Sequence, residues 1–105
     1  MGDAHAALEA LRHKDGGLGV ELSTERASAL GRAGRKLDDT VATCAASLVA
    51  LEAAPPNHRA AALAAFRQAR ELALEARWEM VVVRECIGLW PHHDVDAHWR
   101  IPQAR

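Results

Sequence analysis

The chain has no tyrosine, a single phenylalanine, Phe66, and two cysteines, Cys44 and Cys86. β-Branched residues are sparse outside Val81, Val82 and Val83. A sheet needs branched and aromatic side chains on its pleated surface, so these shortages argue against strand. Two cysteines fit neither a disulfide framework nor a zinc site. Both fall in helical patterns and are expected as small buried hydrophobes. Charge of one sign is also missing: 13 lysines and arginines face 14 carboxylates, for a net charge of −1. No overall attraction to nucleic acid or a membrane surface is expected from that balance. No apolar stretch is long enough to span a bilayer. The first residues lack a basic region followed by an apolar run, so no secretory signal is expected. Ala6 stands where a myristoylation motif after Gly2 wants Ser or Thr. The expected setting is the cytoplasm.

What the chain does have is alanine, the best helix former, at 23 of its 105 positions. Length and composition together predict one all-α domain. A short helix is expected over 4–14, with Ala7, Leu8 and Leu11 on one side and Asp15-Gly16-Gly17 ending it. A long helix follows over 18–54. Its apolar residues Ala27, Leu30, Gly34, Leu37, Val41, Cys44, Leu48 and Leu51 alternate in steps of 3 and 4, the spacing of a left-handed helix-packing seam. Gly31 and Gly34 each cost about 1 kcal/mol relative to alanine, which calls for a compensation such as close approach of another helix.

Pro55-Pro56 stops that helix, and Asn57 is a suitable N-cap for the next one, over 57–89. The second seam is Ala62, Phe66, Ala69, Ala73, Ala76, Met80, Val83 and Ile87. Gly88 and Pro91 end it. The tail over 90–105 is richer in His and Trp, with one helical turn expected over 94–99. Two long helices joined by two prolines form an antiparallel hairpin about 45 Å long at 1.5 Å per residue. In such a hairpin Cys44 and Cys86 lie roughly 28 Å apart along the axis, which excludes an intrachain disulfide. A lone hairpin has no true interior, whereas two hairpins paired as a four-helix-bundle dimer do.

The second helix supports pairing, because Leu74, Trp78 and Val81 lie opposite its seam. A helix apolar on both sides is buried on both sides. These three residues are the candidate interface, covered either by a partner or by the N-terminal helix or tail folding back.

Candidate chemistry is thin. His92, His93, Asp94, Asp96 and His98 are potential metal ligands, with Asp94 and His98 one turn apart. Their spacing matches no established motif, and a polar tail is the plainer reading. Glu71, Glu75, Glu79 and Glu85 each lack a histidine three residues on, which excludes the di-iron bundle pattern. Arg32, Arg35 and Lys36 are followed by Asp38 and Asp39, and charges from 22 to 53 balance four against four. No aromatics interleave for base stacking, so this reads as a solvated helix face. Arg70, Arg77 and Arg84 recur every seven residues, a position that carries ion pairs beside a seam, with Glu71, Glu75 and Glu79 near enough to neutralise them. No serine, threonine or cysteine has a base at useful spacing, and Gly16-Gly17-Leu18-Gly19 lacks the strand context of a phosphate loop. The expectation is therefore a non-enzymatic, cofactor-free module for self-association and binding of another protein. A metal-binding tail is the alternative.

Two stretches resemble a family of small bacterial proteins classed only as a domain of unknown function. They are Glu25-Arg26-Ala27-Ser28-Ala29-Leu30-Gly31-Arg32-Ala33-Gly34-Arg35-Lys36-Leu37, and Arg84-Glu85-Cys86-Ile87-Gly88-Leu89 followed by His92, Val95, Trp99 and Ile101-Pro102. The resemblance covers most of residues 18–102. Trp90-Pro91 replaces the family's Arg-Asp after Gly-Leu, and Trp99 stands where an aromatic, often Tyr, is usual. The resemblance implies a bacterial, cytoplasmic, helical protein and carries no activity, ligand or catalytic residue. It also implies that Val95, Trp99 and Ile101 dock the tail on the long helices.

Overall fold

A computed structural model of the chain describes residues 16–104, with side chains from Leu22 onward. Helix α1 runs Gly16–Ala53, α2 Arg59–Cys86 and α3 His93–His98. The described residues contain no strand. The architecture is an all-α antiparallel hairpin of α1 and α2 with a C-terminal strap. The expected helix over 4–14 lies outside the described residues.

Three helix boundaries differ from the sequence reading by two residues or more. Helix α1 begins at Gly16, so Gly16 and Gly17 lie inside it, two residues before the expected start. The first turn is a tolerant place for glycine, since its amides have no intrahelical partner in any case. At the hairpin turn, the His58 amide donates to the Pro55 carbonyl at 2.9 Å, and the Ala62 amide to the His58 carbonyl at 3.0 Å. His58 is thus the N-cap of α2, and it supplies no side-chain cap. Asn57 sits inside the turn instead of capping. Helix α2 stops at Cys86, three residues short of the expected 89. Gly88 takes a φ of +80°, the Leu89 amide reaches the Arg84 carbonyl at 2.8 Å, and the Gly88 amide reaches Glu85 at 3.0 Å. That bond pair is a Schellman ending, which needs a residue free to adopt left-handed backbone.

The core follows the two seams in two linked clusters. One holds Leu37, Ala33, Ala76, Met80 and Val95, with Leu30, Val41, Val83 and Trp99 against it. The other holds Cys44, Leu51, Phe66, Ala69 and Ala73, flanked by Leu48, Leu63 and Ile101. Alanine at 69, 73 and 76 leaves room beside α2, and larger side chains from α1 and the strap fill it. The expected close approach at the glycines is partly met. A Cβ on Gly34 would sit 3.5 Å from the Met80 methyl, whereas one on Gly31 would meet only the end of Arg35 of the same helix, at 3.3 Å.

Both cysteines are free, but only Cys44 is buried. Burial raises its thiol pKa, and the nearby Arg70 charge partly offsets this. Cys86 is exposed, contrary to expectation. It lies in the last turn of α2, one residue from the seam position Ile87. Among the described residues no helix is long and apolar enough to cross a membrane.

Candidate functional site

Residues seven apart on a helix form one stripe, and Arg70, Arg77 and Arg84 are such a stripe on the flank of α2. The chain turns back after Gly88 and runs along this stripe in the opposite direction. Arg84 Nη2 donates to both carboxylate oxygens of Asp94, at 3.0 and 2.9 Å. Arg77 grips Asp96 through Nε at 2.6 Å and Nη2 at 3.0 Å. Arg70 Nε donates to the Pro102 carbonyl at 3.1 Å. The three guanidinium groups are the rungs of a ladder that holds the strap. Between the rungs, Val95 is only 1% exposed and enters the core. The Trp99 indole donates to Asp38 on α1 at 2.6 Å, so the strap bridges both long helices.

The partners of Arg77 and Arg84 are therefore aspartates of the tail and that of Arg70 a tail carbonyl, not the expected glutamates of α2. Glu79 is taken by Lys36 across the hairpin at 2.8 Å. Asp38 is taken by the Trp99 indole. The signal that could have identified this was the matching of acids at 94 and 96 to arginines at 84 and 77. Reading it requires knowing that the tail doubles back, and nothing local encodes that.

The five candidate metal ligands are placed individually. Asp94 and Asp96 are held by arginines. His92 Nε2 lies 3.1 Å from Glu85 Oε1, and its ring packs 4.9 Å from that of Trp90. His98 packs edge-on against Trp99 at 4.5 Å. His93 is exposed in the first turn of α3. Among the described residues no three His, Cys, Asp or Glu side chains converge as a metal site would require. The carboxylates that a cation would need are already engaged in charge-assisted hydrogen bonds.

These pairs perturb their carboxylates. At Asp94 desolvation acts upward, but the Arg84 charge and hydrogen bonds from Arg84 and the backbone outweigh it, and the net pKa is lowered. At Asp96 the hydrogen bond from Arg77 leads the lowering, against opposing desolvation. A carboxylate whose folded pKa is depressed contributes stability above its unfolded value and loses it as pH falls through the folded one. Strap docking is accordingly expected to be constant above about pH 5 and to weaken progressively below about pH 4. Amide exchange across 93–99 at stepped pH measures this. Protection that persists undiminished at pH 2 would show that the two pairs do not hold the strap.

The candidate interface lies elsewhere on α2. Trp78 is 66% exposed and Leu74 40% exposed, and Val81 is half-buried. The strap follows the arginine flank and leaves Trp78 open, which corrects the expectation that the tail might fold over it. The alternative cover, the helix over 4–14, lies outside the described residues. Beside Trp78 a cleft of about 330 Å³ opens between α1 and α2, lined by Ala29, Arg32, Lys36, Glu79 and Val82. Lys36 and Glu79 at its rim pair with each other at 2.8 Å, and among the described residues no serine, threonine or cysteine lines it. A broader cleft beside the strap holds Arg84, Asp94, His98 and Trp99.

No protein-family model, no curated protein and no solved structure matches the chain.

Proposed function

We propose that this protein is a non-enzymatic helical module that self-associates through the outer face of α2 and presents the assembled hairpins to another protein. One observation carries the reading: Trp78, with Leu74 and Val81, forms an apolar strip on a helix whose other flank the strap already covers. Contiguous exposed apolar surface on a stable monomer is usually small, and tryptophan is among the strongest interface anchors. Among the described residues no nucleophile–base pair lies beside either cleft. Residence in a bacterial cytoplasm, implied by the family resemblance, belongs to the same reading.

Sedimentation of the full chain tests it. The protein is expected to have the mass of two chains at micromolar concentration. Trp78→Ala should weaken the dimer at least about 30-fold, the effect of losing a hot-spot residue. A single-chain mass at several hundred micromolar would overturn the proposal.

A further inference from the structure

The outer face of α2 carries a second heptad pattern: Arg67, Glu71, Leu74, Trp78, Val81 and Glu85, in steps of 4, 3, 4, 3 and 4. All six lie within about 40° of one common direction, which stands about 150° around the helix from the centre of the inner seam, at 100° per residue. The apolar residues occupy the middle of this strip, a cation stands at one end and a carboxylate at the other. Arg67 and Glu85 are both exposed.

That order is self-complementary in one orientation. We infer that the occupant of this face is a second copy of the chain, packed α2 against α2 in antiparallel fashion about a two-fold axis at the level of Ala76. The inference rests on the proposed self-association and adds its geometry. The axis places Leu74 level with Trp78 of the second copy, so each large ring meets a smaller side chain. It also places Arg67 level with Glu85 of the second copy, and by symmetry this pair occurs twice. A two-fold contact requires such reciprocity. Parallel packing instead sets Arg67 beside Arg67 and Glu85 beside Glu85, which like-charge repulsion opposes. Glu71 falls level with Val81 at the edge of the strip, where its carboxylate stays in water. In this arrangement α2 becomes the inner helix of a four-helix assembly, buried on both sides, and the two α1 helices lie outside. The straps remain on their own hairpins.

Charge reversal tests the orientation. Arg67→Glu and Glu85→Arg, made singly, should each raise the dimer dissociation constant about tenfold, because each turns two opposite-charge pairs into two like-charge pairs. Arg67→Glu combined with Glu85→Arg should restore it to within about threefold, since the pairs re-form with signs exchanged. Helix content by circular dichroism confirms that every variant is folded. If wild type dimerises and Trp78→Ala weakens it, but the double reversal fails to rescue, the antiparallel register is overturned and self-association through this face stands. If wild type is monomeric, the functional proposal itself falls. Glu85 also contacts His92, so His92→Ala serves as a control. It should leave the dimer unchanged, and a tenfold weakening would assign the Glu85 effect to the strap and overturn the pairing.

Discussion

Phe66→Ala is expected to lower the unfolding free energy by about 3–5 kcal/mol, the usual cost of deleting a buried aromatic ring. Phe66 is the chain's one phenylalanine and is 2% exposed. Its cluster mates Cys44, Ala69 and Ala73 are small and fixed on helix backbones. The alanines have no side-chain rotamers with which to fill the space, and Leu51 is the one large side chain among the other buried members, so much of the cavity persists and the cost belongs within that range. A small domain often has only about 5–15 kcal/mol in total, so this variant should be close to unfolding at 37 °C. Trp78→Ala makes the contrast. With its ring two-thirds exposed in the single chain, it should change monomer stability far less than Phe66→Ala while acting strongly on association. Denaturant melts at low protein concentration measure both. A loss below about 1 kcal/mol for Phe66→Ala would show that the core is elsewhere.

The second large effect is expected at Val95→Asp. Val95 is the strap's plug, in contact with the cluster of Ala33, Leu37, Ala76 and Met80. An unpaired carboxylate there would lose several kcal/mol of hydration, so the strap should leave the groove instead. The measured loss is then capped by the docking free energy of the strap, of which valine burial alone contributes about 1.5–3 kcal/mol. Release also breaks the Trp99–Asp38 bond. Amides over 93–99 should lose their exchange protection, and Trp99 emission should shift to the red with Trp78 and Trp90 changed to phenylalanine. Unaltered protection over 93–99 would contradict the docked strap.

The seams were legible because core spacing is a local property. Leu37, Cys44, Leu51, Phe66, Ala69, Ala73, Ala76 and Met80 all stand at three-and-four steps, and all are buried. Ala33 is buried as well and escaped the pattern, because it lies one place before the seam glycine Gly34. What covers the rest of the surface was not legible. Periodicity shows that α2 is apolar on two sides but not which side is shielded within the chain. The arginine stripe was visible as a stripe, yet its carboxylate partners lie 10 and 19 residues away on a segment that reverses direction. Asn57 illustrates a different limit. Its type suits a cap, but the Pro55–His58 turn uses up that position first.

The bridge from the strap to Asp38 bears on how the hairpin comes apart. Two helices joined at one end separate most readily at the other, like the blades of open tweezers. Here the Pro55-Pro56 turn closes one end, and the strap ties the helices again where α1 passes Asp38, near the middle of α2. Fraying from the open end must therefore release Val95 and Trp99 before Leu37 and Met80 can part. A motion that would otherwise proceed turn by turn is gated by a single latch, which couples the loosening of the chain's last residues to that of its middle.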